Sequence, residues 1–268
     1  MILGFIGTGG IAEAIVMGLC NHGGHDTPIL VSRRNRARSG KLAEAFDLVE
    51  VVDDNQDIVD RSDWVIISVL PGQALDLLSS LRFRDDHVIV SLPAGITLSS
   101  LLEHVRPATR VCRAIPMPPV EFGLGPTPVY PPDPDVQALF NGIGAAVAVD
   151  DESQFTALGA SSAIMATFFA WIASNARWLE EQNVPAKEAA FYTTSVFSAL
   201  AAMTARVDAD ELQNMSKDCL TPGGLNEQVL NAALDSGVID TIQAEIGRVM
   251  VRLTSAGNPQ PKKNSLPR

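Results

Sequence analysis

Cysteine is scarce in this chain, with three in 268 residues, at Cys20, Cys112 and Cys219. An odd number at wide spacing encodes neither a disulfide framework nor a metal-ligand set, so a reduced, cytoplasmic setting without a bound metal is expected. Basic residues are also in deficit, twenty against thirty-one acidic, for a net charge of −11. Binding to a nucleic-acid backbone or an anionic membrane surface needs clustered cations, so neither is expected as the main activity. Histidine is limited to His22, His25, His87 and His104, all in the N-terminal half. No internal repeat is visible, and with a strand-like run beginning at residue 2 no leader is expected ahead of it.

Hydrophobic residues, by contrast, make up 46% of the chain, ample for the cores of one large or two ordinary domains. Short apolar runs recur at 2–6, 28–31, 48–52, 64–69, 87–92 and 110–114, with helix-like stretches between several of them. That alternation predicts an α/β fold: a doubly wound parallel sheet with helices on both faces. A looser segment rich in Pro and Gly, "PMPPVEFGLGPTPVYPPDPD", comes next, followed by one more strand in "GAAVAVD". Near residue 150 the pattern changes to helix alone. The expected division is a Rossmann-type domain over 1–150, an all-α domain over 151–256 and a disordered tail over 257–268.

Two stretches of the second half, 155–176 and 189–205, carry no charged residue. The first reaches membrane-spanning length. It also contains Thr156, Ser161, Ser162, Thr167, Ser174 and Asn175 without flanking Lys/Arg asymmetry, so it reads as a packed helix rather than a membrane span. A domain of about a hundred residues cannot easily surround two such helices alone, and a second copy of the chain would cover them.

The N-terminal segment "MILGFIGTGGIAEAIVMGL" joins a buried strand to a helix through Gly7-Thr8-Gly9-Gly10-Ile11-Ala12. This fits the G-x-G-x-x-G/A fingerprint of dinucleotide sites. The first glycine permits the tight turn, the second admits a pyrophosphate, and the small third residue lets helix and strand pack closely. Free N–H groups opening the helix would face the phosphates. After the second strand come Ser32, Arg33, Arg34 and Asn35, with no acid before Glu44. An NAD site usually places a carboxylate here for the ribose 2′-OH, whereas cations suit the 2′-phosphate of NADP(H), which is therefore the expected cofactor.

On these residues the chain resembles the pyrroline-5-carboxylate reductase family, which reduces a cyclic imine to proline with NAD(P)H. The resemblance is carried by "GFIGTGGIAEAIVMGL", "VSRRN", "SDWVIISVLPGQALDLL", "SLPAGITLSSL", "RVCRAIPMPPVEFGLGPT" and "DCLTPGGLNEQVLNAALDSG". It implies a helical C-terminal domain that forms a homodimer or higher homo-oligomer. It further implies that the nicotinamide lies near Val69, Pro71, Ala94, Gly95 and Pro116. The substrate carboxylate would sit at Thr221, Gly223 and Gly224, with Leu225 and Asn226 opening the following helix. Glycine-exposed N–H groups at a helix N-terminus suit a carboxylate without an arginine.

Departures from the family pattern concentrate on the substrate side. Leu70 stands where the family usually has lysine, Met117-Pro118-Pro119 replaces Asn-Thr-Pro, Met165 lies in the altered "SGSGPAY" segment, and Leu225-Asn226 replaces a threonine pair. These changes leave the phosphate turn untouched and make the pocket more apolar. The second domain has no histidine, and the long helix that would carry the catalytic lysine of related hydroxyacid dehydrogenases has no lysine; later in the domain only Lys187 and Lys217 occur. A protonated imine needs no strong general acid, whereas carbonyl reduction calls for a proton donor. Tyr192, Ser161, Ser162 and Thr193 read as packing residues, and Cys112 and Cys219 as inert thiols. The expectation is an NADP-dependent reductase of a C=N bond in a small cyclic imino acid, with L-proline as the product of the family reaction. The alternatives are a reductase of a more apolar imine and a dinucleotide-binding sensor without catalysis.

Overall fold

The computed structural model describes residues 1–24 and 26–255. The stretch 257–268, expected to be a disordered tail, lies outside the described residues. The described residues form two compact units: Met1–Ala160 together with 250–255, and Ser161–Val249.

The first unit opens β1 (Leu3–Ile6), α1 (Gly10–Asn21), β2 (Ile29–Ser32), α2 (Arg36–Ala45), β3 (Val49–Val52), α3 (Asn55–Arg61) and β4 (Trp64–Ile67). It continues with α4 (Pro71–Ser79), β5 (Val88–Ser91), α5 (Leu98–His104), β6 (Arg110–Ala114), β7 (Pro126–Tyr130), α6 (Pro134–Asn141), β8 (Ala145–Ala148) and α7 (Glu152–Ser161). The sheet order is β3-β2-β1-β4-β5-β6-β7-β8, parallel throughout except where β7 runs antiparallel to β6. Side chains alternate across the sheet. Leu3, Phe5, Ile29, Val31, Ile66 and Val90 enter one core with α1, while Ile6, Leu30, Val65, Ile67 and Ile89 enter a second core with α3 to α5. Burial on both faces explains why these strands read as nearly continuous apolar runs.

The expected strands form within a residue or two of their predicted ends, and β8 falls where one more strand was expected. β7 is a correction, since the Pro/Gly-rich segment reads as loop. Pro126 and Pro128 lack N–H groups, yet the Pro128 carbonyl still accepts from Ile115 N–H at 3.1 Å, and Val129 and its neighbours pair with β8. The boundary near residue 150 is a second correction. Helix α7 belongs to the first unit because Glu152 pairs with the buried Arg113 at 2.7 Å and Phe155 packs beneath the Arg113 guanidinium.

The second unit holds α8 (Met165–Glu181), α9 (Ala186–Thr204), α10 (Ala209–Asp218) and α11 (Leu225–Asp235), and most of α12 (Val238–Thr254). Helices α8 and α9 pack side by side, with Phe197 meeting Phe168 and Trp171 edge-on. Phe169, Trp171, Trp178, Phe191 and Tyr192 remain exposed in the single chain. The helical run Glu152–Glu181 is long and apolar enough to cross a membrane by length and composition, and it is broken by a short 3-10 turn at Ser162–Ile164.

A cleft at the sheet switch point

Strand order reverses between β1 and β4, since the chain proceeds outward through β2 and β3 on one side and through β5 and β6 on the other. Such a switch point leaves a crevice beyond the carboxyl ends of the strands, the usual ligand position in open α/β sheets. Here it holds a cleft of about 860 Å³.

Its floor is the glycine turn. Gly7 has φ +95, and a Cβ added to it would lie 2.4 Å from the Ser68 carbonyl oxygen, so only glycine fits. A Cβ on Gly9 would meet nothing within 4 Å, because this residue opens onto the cleft. Thr8, Gly10 and Ile11 complete the floor, while Ala12 is fully buried in the core beneath. Helices α1 and α4 both begin at this cleft, and their caps, Gly9 and Leu70, place no side-chain acceptor over the first N–H groups. The start of α1 therefore offers unpaired donors to the cavity, while α4, which opens on Pro71 and whose Gln73 N–H already donates to the Leu70 carbonyl at 2.9 Å, adds the positive end of its dipole, a setting suited to an anion.

One end of the cleft carries Arg34, Asn35 and Arg36. Of the four residues expected here, Ser32 and Arg33 are used otherwise. The Ser32 side chain is buried and turned inward: its Oγ accepts from Gly7 N–H at 3.0 Å, and the Thr8 hydroxyl donates to the Ser32 carbonyl at 2.7 Å. Ser32 thus braces the glycine turn and is not available to a phosphate. Arg33 does not line the cleft and pairs through Nε with Asp53 at 2.6 Å. Arg38 is likewise engaged, with Glu13. Among the described residues Arg34 and Arg36 have no ion pair, and they are the cations that face the cavity. Arg36, legible in the sequence only as one of the basic cluster Arg33, Arg34, Arg36 and Arg38, is brought to the cleft as the first residue of α2, behind the Asn35 cap.

The opposite end is apolar, formed by Val69, Leu70, Pro71, Leu92, Pro93 and Ala94 with Gln73 beside them. Val69, Pro71 and Ala94 were expected here; Gly95 and Pro116 do not line the cleft. Among the described residues no carboxylate, lysine, histidine, cysteine or tyrosine lines it. Cys112 is buried, its thiol pushed up to about 12 by burial, as suits an inert residue.

The other predicted cluster lies in the second unit. Gly223 has φ +72, and the Gly224 N–H donates to the Thr221 carbonyl at 2.7 Å, so the glycine pair makes the tight turn that opens α11. Gly224 caps α11 without a side chain, Leu225 is 83% exposed, and Asn226 donates through Nδ2 to the Cys219 carbonyl. Glu227, which the sequence reading did not single out, accepts the Gly223 N–H at 2.7 Å. A carboxylate of the protein itself thus already engages this turn.

The family model described as NADP oxidoreductase, coenzyme F420-dependent, matches residues 2–95. The pyrroline-5-carboxylate reductase of Haemophilus influenzae is 24% identical over 239 residues, covering 85% of this chain and 88% of that protein. The Pseudomonas aeruginosa enzyme of the same name is 26% identical over 248 residues, covering 88% and 89%. Among solved structures, the Streptococcus pyogenes 1-pyrroline-5-carboxylate reductase superposes with a TM-score of 0.82 at 22% identity, covering 95% of this chain and 98% of that one. A Plasmodium falciparum pyrroline carboxylate reductase with NADP bound also gives 0.82, at 16% identity and 96% and 98% coverage. Over most of its length the chain is thus similar in sequence to pyrroline-5-carboxylate reductases, and it shares their fold.

Proposed function

We propose that this protein is an NADP-dependent reductase of the C=N bond of a small cyclic imino acid, of the pyrroline-5-carboxylate type and serving L-proline formation. The observation that carries the reading is a cleft with the uncapped N-terminus of α1 at its floor, two arginines without ion pairs at one end and an apolar wall at the other. Its residues fit NADP(H): Gly9 leaves room where a pyrophosphate must approach, and Arg34 and Arg36 offer charge to a 2′-phosphate.

When bound, the cofactor supplies the hydride. The chain's own task is to hold the dinucleotide by the N–H groups of Gly9 to Ile11 and to keep water from the reacting face with Val69, Leu70, Pro71 and Ala94. No lining side chain of the cleft is built to deliver a proton, which suits a substrate already protonated at nitrogen. Thr221, Gly223 and Gly224, with Leu225 and Asn226, are assigned to the substrate carboxylate. A more apolar imine is the second reading, favoured by Leu70 and Leu225, exposed at 69% and 83% where the family places polar residues. The working form is a homodimer made through the second unit, in the cytoplasm, as the acidic surface and scarce cysteines suit.

The test is NADPH oxidation by the purified protein with pyrroline-5-carboxylate, with NADH in parallel. NADPH-dependent turnover is expected, and no turnover with either cofactor would overturn the reading. Replacing either Arg34 or Arg36 alone by alanine should weaken NADPH roughly ten- to a hundredfold with little effect on NADH, since one lost charged contact costs about 1.5–3 kcal/mol. Arg33→Ala should discriminate far less, because Asp53 already holds that guanidinium.

A further inference from the structure

Ser68 follows β4 at the switch point and carries an anomaly. Its Oγ is shielded from solvent and has no hydrogen-bond partner, although the residue itself lines the cleft. Its backbone is fixed on both sides. The Ser68 N–H donates to the Ile6 carbonyl at 2.8 Å, and its own carbonyl lies against Gly7 so closely that no Cβ could stand between them. A buried hydroxyl left unpaired costs about 1–3 kcal/mol, and alanine would fill the same space without that cost. The position between the floor at Gly7 and the apolar wall at Val69 and Leu70 puts this unpaired donor beside the half of the cleft away from the arginines.

We propose that Ser68 is a cofactor-binding residue whose hydroxyl pairs with a polar atom on the nicotinamide side of the bound dinucleotide. The inference rests on the reading of the cleft as an NADP(H) site. A serine has three staggered side-chain positions, and in the one found Oγ is covered and unbonded. Binding selects a rotamer that satisfies it, so the cost carried by the free protein is recovered in the complex. Ser91, the last residue of β5, supplies an internal comparison: its Oγ is also buried and unpartnered, but it does not line the cleft.

The experiment compares the full-length protein with Ser68→Ala and Ser91→Ala, by fluorescence titration of NADPH and of 2′,5′-ADP, and by thermal unfolding without cofactor. Ser68→Ala is expected to weaken NADPH about three- to tenfold, as loss of one hydrogen bond does. It should leave 2′,5′-ADP, which lacks the nicotinamide half, unchanged, with an unfolding temperature equal to or above that of the parent. Ser91→Ala should leave both affinities unchanged. Unaltered NADPH binding by Ser68→Ala overturns the inference, and so does a parallel loss of 2′,5′-ADP affinity and thermal stability, which would make Ser68 a packing residue. If the parent protein itself binds no NADPH, the reading of the cleft fails and this inference with it; the Ser68→Ala result alone cannot produce that outcome.

Discussion

At the scale of single residues, the positions that decide behaviour are those whose polar atoms have been given one fixed use. Ser32 was legible as a residue near the cofactor, but its type does not reveal whether the hydroxyl faces a ligand or the turn. Only the inward bond with Gly7 N–H answers that. The same ambiguity hid Arg33, whose neutralising partner Asp53 lies twenty residues on, at the end of another strand. His87 shows the thermodynamic side of fixed use. It is fully buried, its Nδ1 accepts the Arg84 N–H at 3.0 Å, and burial, aided by the Arg84 charge, holds its pKa below the ordinary value. Since the folded pKa lies below the unfolded value of about 6.5, the unfolded chain binds more protons in acid. The stability this residue contributes is therefore present above about pH 6.5 and is lost as pH falls toward the folded pKa. Urea unfolding at several pH values should show that fall in the parent protein, with a shallower slope between pH 7 and 5 in His87→Gln.

At the scale of elements, the strands were the most legible part because both faces are buried and the apolar runs are unbroken, while β7 was obscured by the prolines it tolerates. Helix α7 was read as part of the second domain from composition, which records what a helix is made of and not what it touches. Glu152, its first residue, accepts from both Arg113 Nη1 and Leu98 N–H at 2.7 Å, tying together β6, α5 and α7. Removing one partner of a buried pair strands the other charge, at roughly 3–5 kcal/mol when both are buried. Glu152 is a third exposed, so Glu152→Ala should cost less, about 2–3 kcal/mol in urea unfolding. A loss below 1 kcal/mol would mean that water replaces the carboxylate. Helix α11 poses the complementary question, because Glu227 accepts the Gly223 N–H in the turn assigned to the substrate carboxylate. A competing anion at a helix N-terminus is worth about 0.3–1 kcal/mol. Glu227→Ala should accordingly lower KM for pyrroline-5-carboxylate about two- to fivefold at unchanged kcat. A raised KM would instead show that Glu227 holds the turn in shape for substrate.

At the scale of the whole molecule, the contrast between the units is one of coverage. The first unit closes two cores over its sheet, whereas among the described residues of the second only Ala189 and Thr193 are buried. The uncharged stretches of the sequence foretold helices needing cover, but could not say from where it comes, since length and hydropathy are the same for a membrane span and a subunit interface. A span should be apolar all round. Helix α8 instead bears Asn175, Arg177 and Glu180 near its end, and one of its aromatic residues, Phe168, already packs on α9. Large exposed side chains such as Phe169 and Trp171, each able to bury upward of 150 Å² of mostly apolar surface, fit association of two copies, and the proposed homodimer follows from that need. A charge placed there has to be desolvated when the copies meet, at a cost of several kcal/mol. Trp171→Glu should therefore shift sedimentation equilibrium from twice the 28.6 kDa chain mass toward the chain mass itself, while a charge on an exposed position of the first unit, as in Gln73→Glu, should not. A monomeric parent protein would refute the homodimer, and a Trp171→Glu variant that remains fully dimeric would move the interface off this face of α8.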